Sequence, residues 1–207
     1  MKLVSGFRTP SMDKAPYQVS VRYLGNHICG GNIITKYHVL TTASCIADYP
    51  NVYYANLKVL SGTTDQKNAH QQGTIHDVFY IIIHEEYNPQ NSWIHDLAIL
   101  RITVPFDYSN IRLPVQMEST SAAADPTIVR TSGWGQITLK SPVQSTRYMQ
   151  TLNLKICALL EFLKYWKDYH ISTYYQNCAS MVFPDAAVGK GDGGNGLIDG
   201  TGKLVAG

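Results

Sequence analysis

Apolar residues recur along the chain in short bursts, each closed by turn-forming residues. "YQVSVRYL" (Tyr17–Leu24) alternates apolar and polar positions and stops at the turn dipeptide Gly25-Asn26. A period of two sends successive side chains to opposite faces, so the stretch predicts a strand. "GNIITKYHVLTTAS" is β-branched and aromatic and carries no helical stripe. "NLKVLSG", "DVFYIIIH" and "LAILRI" are short apolar runs bounded by turn residues; "TIVRTSGWG" and "MQTLNLKI" repeat the style, and "LVAG" comes last. Short strands at this regular spacing predict an all-β sandwich or barrel.

Two places break the pattern. "CALLEFLKYW" (Cys157–Trp166) sets Leu159, Leu160, Phe162, Leu163 and Trp166 near a 3.6 period with Glu161 and Lys164 on another side, which predicts one short helix in the second half. "TASCIADY" (Thr42–Tyr49) has room for a single helical turn, and "EEYNPQNSW" (Glu85–Trp93) reads as a loop. The connector "DYSNIRLPVQM" (Asp107–Met117) divides the chain into halves, 1–113 and 114–207, each with its own strand series and its own pair of cysteines.

Composition narrows the classes. The 207 residues and 44% hydrophobic content suffice for a sizeable core. Seventeen Lys plus Arg stand against fifteen Asp plus Glu, a net of +2, which argues against a nucleic-acid binder. Arg130, Lys140, Arg147 and Lys155 fall in a stretch with no acidic residue, which reads as a solvated face before it reads as an anion site. No apolar run approaches the ~20 residues that span a bilayer. Cys29, Cys45, Cys157 and Cys178 lack metal spacing and fit two disulfides and an oxidising compartment, with three connectivities open. No metal and no cofactor is implied.

Four stretches in order then carry a resemblance. "CGGNIITKYHVLTTASC" resembles the segment that trypsin-like serine proteases write roughly as CGGSLI…VLTAAHC. "HDLAIL" resembles their DIALL motif, "SGWG" (Ser132–Gly135) their SGWG, and "GDGGNG" stands where they have GDSGGP. The chain is identified as resembling the trypsin-like serine proteases from Leu3 to Gly207. "PYQVSVRYLGNHICGG" resembles the mite digestive proteases known as group 3 allergens. The resemblance implies two antiparallel six-stranded Greek-key β-barrels with a cleft between them. It also implies the disulfides Cys29–Cys45 and Cys157–Cys178.

Carried over residue by residue, the catalytic motifs are degenerate. The nucleophile position is Gly193, which has no side chain to form an acyl intermediate. The position of the general base is Ser44, whose hydroxyl is no base near neutral pH. Of the triad only Asp96 remains, and an aspartate that orients a histidine has no such role without it. Neither His38 nor His95 is expected to substitute, since His95 neighbours Asp96 and adjacent strand residues face opposite ways. The oxyanion loop would be Gly191, Asp192 and Gly193, with Asn195 expected to crowd the cleft. The base of the specificity pocket would be Ala187, which offers no charge for Lys or Arg substrates.

Both chain ends carry family traits. "KLVSG" resembles the activation site, so cleavage after Lys2 would free Leu3 to pair with Asp192; the alternative leaves Asp192 bonded to backbone N–H groups alone. "GKLVAG" resembles a strand after which family members continue with further strands and a terminal helix. Those elements are expected to be missing here, as in a fragment of a longer chain, and a truncated barrel would expose a strand edge. The implied function is that of the inactivated serine protease paralogues of parasitic mites: a secreted, extracellular protein without catalysis that binds host proteins, complement components among them. The Tyr- and Trp-rich stretch Tyr165–Tyr175 is a source of interface anchors. Runners-up are a decoy holding peptides in the old cleft and a weak hydrolase using unorthodox groups.

Overall fold

The computed structural model describes residues 6–47, 52, 57–68, 73–117, 128–136, 145–158, 163–164, 176, 178–182 and 188–206. Among the described residues the strands are β1 (Phe7–Arg8), β2 (Gln18–Tyr23), β3 (Asn26–Ile33), β4 (His38–Thr41), β5 (Leu57–Ser61), β6 (Thr74–Ile83), β7 (Ala98–Ile102), β8 (Gln116–Met117), β9 (Ile128–Gly133), β10 (Gln150–Ile156), β11 (Ala179–Met181), β12 (Leu197–Ile198) and β13 (Lys203–Ala206), and a short helix α1 spans Ser44–Ala47. Of the helix predicted over Cys157–Trp166, residues 163–164 are described beyond its first two positions, and both are helical.

Strands β2-β3-β4-β7-β6-β5 close a six-stranded antiparallel barrel. Val19, Val21, Ile33, Val39, Val59, Leu100 and Ile102 fill it with no exposed surface. The β2–β3 hairpin turns at Leu24-Gly25, one residue earlier than the Gly25-Asn26 of the sequence reading, with φ of 48° and 80°. Positive φ at both central residues matches the strand twist, and Asn26 becomes the first residue of β3.

The second half builds a seven-stranded sheet in the order β1-β10-β9-β12-β13-β8, with β11 on the far side of β10. Among the described residues this sheet is open, and its β13–β8 pair is parallel. Its N-terminal strand β1 comes from the start of the chain and pairs with β10. Trp134, Met149, Ile198 and Leu204 form its main core, and Val129, Leu152, Leu154 and Ile156 a second one. Both inferred disulfides form, Cys29–Cys45 and Cys157–Cys178.

The two sheets are pinned by polar groups that the loops present. Arg147 grips the Asp65 carboxylate through Nε and Nη2 at 3.1 and 2.8 Å, which holds that carboxyl below its usual range. Gln66 N donates to Arg147 O, and Trp134 Nε1 and Met149 N both donate to Thr64 O. These contacts join the first barrel to the second sheet.

Candidate active site

Helix α1 begins at Ser44, and Asp96 arrives from the loop before β7. Ser44 N donates to Asp96 Oδ1 at 2.7 Å, and Ser44 Oγ donates to Oδ2 at 2.7 Å. The carboxylate therefore serves both hydrogens of one residue and caps a helical turn. Thr42 Oγ1 lies 3.5 Å from Ser44 Oγ and would lie 3.7 Å from a Cβ on Gly193. That same Cβ would stand 3.1 Å from Cys45 Sγ and 3.6 Å from Cys29 Sγ, so Gly193 rests over the disulfide. Fold and sequence motifs thus bring Ser44, Asp96 and Gly193 to one place.

The glycine loop is tied to the first barrel. Gly30 N donates to Gly193 O at 2.8 Å, and Asn32 Nδ2 donates to Gly194 O at 3.1 Å. Gly191 and Gly194 have φ of 94° and 78°, a region that excludes ordinary side chains. Asp192 accepts from Gly135 N and Gly189 N at 2.9 Å each and from Asn195 Nδ2 at 3.2 Å. Burial raises its pKa above the ordinary carboxylate value, and these donors offset the rise only in part.

Asn195 stands in the wall of the cleft but does not project into it. Its side chain turns inward at 8% exposure, accepting from Gln18 Nε2 at 2.7 Å and donating to Asp192. A Cβ on Gly30 or Gly133 would overlap its amide, so two glycines on opposing strands vacate the room that Asn195 fills. The physical reason is polarity: Gln18, fully buried on β2, gives one N–H to Val19 O and has a second N–H that the inward-facing Asn195 amide accepts.

The family model for Trypsin matches residues 4–207. The chain belongs to the trypsin family. Trypsin zeta of Drosophila melanogaster is 30% identical over 142 residues, which is 65% of this chain and 49% of that relative. Trypsin epsilon of Drosophila erecta is 33% identical over 134 residues, with 65% and 49% covered. The match spans about half the length of these curated relatives. Among solved structures, human heparin binding protein superposes with a TM-score of 0.79 at 20% identity, covering 97% of this chain and 82% of that one. Neuropsin, a serine protease of mouse brain, gives 0.81 at 22%, covering 95% and 82%. These two likenesses speak for the fold alone.

For this trypsin-family chain, Leu3 and Ala187 lie outside the described residues. Gly6 does line a small cavity of about 30 Å³ together with Asp192, Gly135 and Val188. A second cavity of about 520 Å³ opens beside the triad positions, lined among others by Thr42, Trp93, His95, Asp96 and Leu197. His38 sits elsewhere, with Nδ1 on Thr35 Oγ1 at 2.8 Å. His95 stacks on His84, ring centroids 4.7 Å apart.

Sequence reasoning gave no role to three residues that shape the site. Gln18 anchors Asn195, Thr42 bridges Ser44 and the Gly193 position, and His27 reaches the loop itself. His27 Nε2 meets Gly191 O at 2.9 Å and Nδ1 meets Ser20 Oγ at 2.8 Å. Burial lowers its pKa to about 4, so it stays neutral at physiological pH. The available signal was its place two residues before Cys29, on a strand facing the glycine loop. No described helix is long and apolar enough to cross a membrane.

Proposed function

We propose that this protein is a catalytically inactive member of the trypsin family that acts by binding other proteins. The observation that carries the reading is the pairing at the site. The carboxylate of Asp96 is spent on the backbone and hydroxyl of Ser44, and the nucleophile position beside it is glycine. A carboxylate is a poor base for a serine hydroxyl, and no imidazole stands between them to relay a proton. Loss of a triad member costs roughly 10⁴–10⁶ in turnover, and only binding and the oxyanion donors remain, worth roughly 10³–10⁴ over water.

Two disulfides and the family support an extracellular, secreted protein. The resemblance to mite paralogues points to host defence proteins as partners, complement components among them. A fluorophosphonate probe should leave the purified protein unlabelled, and a stoichiometric adduct would sink the reading. Immobilised protein should retain a component from host plasma and lower complement activity in a haemolytic assay; no effect in either removes the complement assignment.

One observation favours a second form of the same idea. The 520 Å³ cavity beside Asp96, with Asn195 turned inward, leaves space for a peptide side chain in the old cleft. In that decoy reading, a Leu97→Arg substitution on the cavity wall abolishes partner capture.

A further inference from the structure

The loop from β6 to β7 is drawn closed at its neck by His84 N donating to Leu97 O at 2.9 Å and Asn88 N donating to Ile94 O at 3.2 Å. At that neck three groups converge. The imidazoles of His84 and His95 stack 4.7 Å apart with 9° between their planes. His95 Nε2 stands 3.7 Å from Glu86 Oε2. One ligand atom from each of His84, Glu86 and His95 lies within 4.8 Å of the other two. The loop also holds Ser92, Trp93 and His95 at φ of 52°, 52° and 55°. Non-glycine residues persist there only when surrounding structure enforces it.

We propose that His84, Glu86 and His95 form a binding site for a divalent transition metal ion of the Zn²⁺ type. Two imidazoles and one carboxylate are the donor set of borderline metals, whereas Ca²⁺ and Mg²⁺ ask for oxygen alone. Three ligands leave a fourth tetrahedral position for water. Bonds of roughly 2.0–2.1 Å place such ligands about 3.3 Å apart, so the cluster closes by at most about 1.5 Å as the ion enters. Glu86, whose side chain is 69% exposed, moves in, and the His84 ring turns out of its stack on His95 so that both ring lone pairs meet the ion, while His95 at 17% gives a fixed post. His84 Nδ1 already holds its lone pair toward this corner, accepting Glu86 N at 3.2 Å, and the ion replaces that single bond.

Position gives the site a consequence. His95 precedes Asp96, the residue that holds Ser44, and Trp93, His95 and Leu97 line the larger cavity. A bound ion would tie both ends of the loop and fix that wall. The inference is independent of whether the triad positions are active.

Tag-free protein stripped with EDTA tests it by calorimetric titration with Zn²⁺. One ion should bind with saturation in the micromolar range, and Zn²⁺ at about a hundredfold over Kd should raise Tm by roughly 5–10 °C. Ca²⁺ should do neither. His95→Ala should weaken binding by at least about 100-fold, and Glu86→Gln, on an exposed side chain that folding does not need, by at least about tenfold. The absence of saturable binding up to millimolar Zn²⁺ would overturn the proposal. So would unchanged affinity and stoichiometry in a folded His84→Ala/His95→Ala variant, because the ion would then sit elsewhere. If His95→Ala fails to fold, unchanged affinity in Glu86→Gln together with His84→Gln overturns it equally.

Discussion

Asn195→Ala isolates the contact that joins the two halves at the glycine loop. The substitution removes an acceptor for Gln18 Nε2 at 2.7 Å and a donor to Asp192 Oδ1 at 3.2 Å. Gln18 keeps one bond, from Nε2 to Val19 O at 3.2 Å, while its Oε1 already has no partner. A neutral hydrogen bond contributes about 1 kcal/mol and one to a charged group about 1.5–3 kcal/mol, and the site is too enclosed for bulk water to compensate fully. The expected loss is therefore about 3 kcal/mol, or roughly 6–12 °C in Tm for a chain of this size. Urea unfolding followed by tryptophan fluorescence measures it, with the midpoint falling and the slope unchanged. A double-mutant cycle with Gln18→Ala should return a coupling of about 1 kcal/mol. A loss below about 0.5 kcal/mol, the level of an ordinary surface change, would refute the claim that Asn195 is an interior bridge.

Three further outcomes follow from the same loop. His27 is held neutral with a pKa near 4 against 6.5 unfolded, so its contribution is complete above pH ~6.5 and is lost as pH falls toward 4; the span is roughly 3 kcal/mol, and His27→Gln should flatten that part of a urea-stability profile. Asp192 titrates the opposite way: burial raises its folded pKa, so its stabilising effect is full below its unfolded value of 3.8 and is lost as pH rises through the folded pKa. Asp192→Asn should remove that slope, and an amino terminus docked on Asp192 would reverse its sign in the parent protein. Gly193→Ser combined with Ser44→His should gain fluorophosphonate labelling that Ser44→His alone lacks; a folded double variant without label would show that more than these two groups is wanting.

How much was legible in the sequence depends on which face of a strand is asked about. "YQVSVRYL" announces a strand because Val19 and Val21 recur at a period of two, and both are wholly buried in the barrel. The same alternation suggests a wet face at Gln18 and Ser20, yet these are wholly buried too, against the second sheet. Pattern alone cannot separate a polar face in water from one satisfied inside the fold: Gln18 finds its partner in Asn195 of the distant glycine loop, and Ser20 finds His27 on the neighbouring strand β3. Asn195 itself illustrates the limit. Its neighbours in the chain identify the loop, but its direction is set by Gly30 and Gly133, whose missing side chains make room for it. The disulfides, by contrast, came through the family resemblance, since spacing left three pairings open.

The glycines of "GDGGNG" separate architecture from chemistry. Gly191 and Gly194 are required by backbone conformation, with φ of 94° and 78°, and a Cβ on Gly194 would also meet Gly30 O at 2.5 Å. Those constraints come from the approach of the loop to β3, and they hold whether or not anything reacts there. Gly193 is different. Its φ lies outside the left-handed region, it is exposed, and a Cβ there needs only a slight yield from Cys45 Sγ at 3.1 Å. The loop's shape can therefore persist through packing alone, while at the one position that would carry a nucleophile no backbone constraint demands glycine and only the disulfide presses on a Cβ, with Cys45 Sγ at 3.1 Å. The missing hydroxyl is a feature of the sequence and not a demand of the fold, which is why the scaffold can be intact beside Ser44 and Asp96 and still be read as a binding protein.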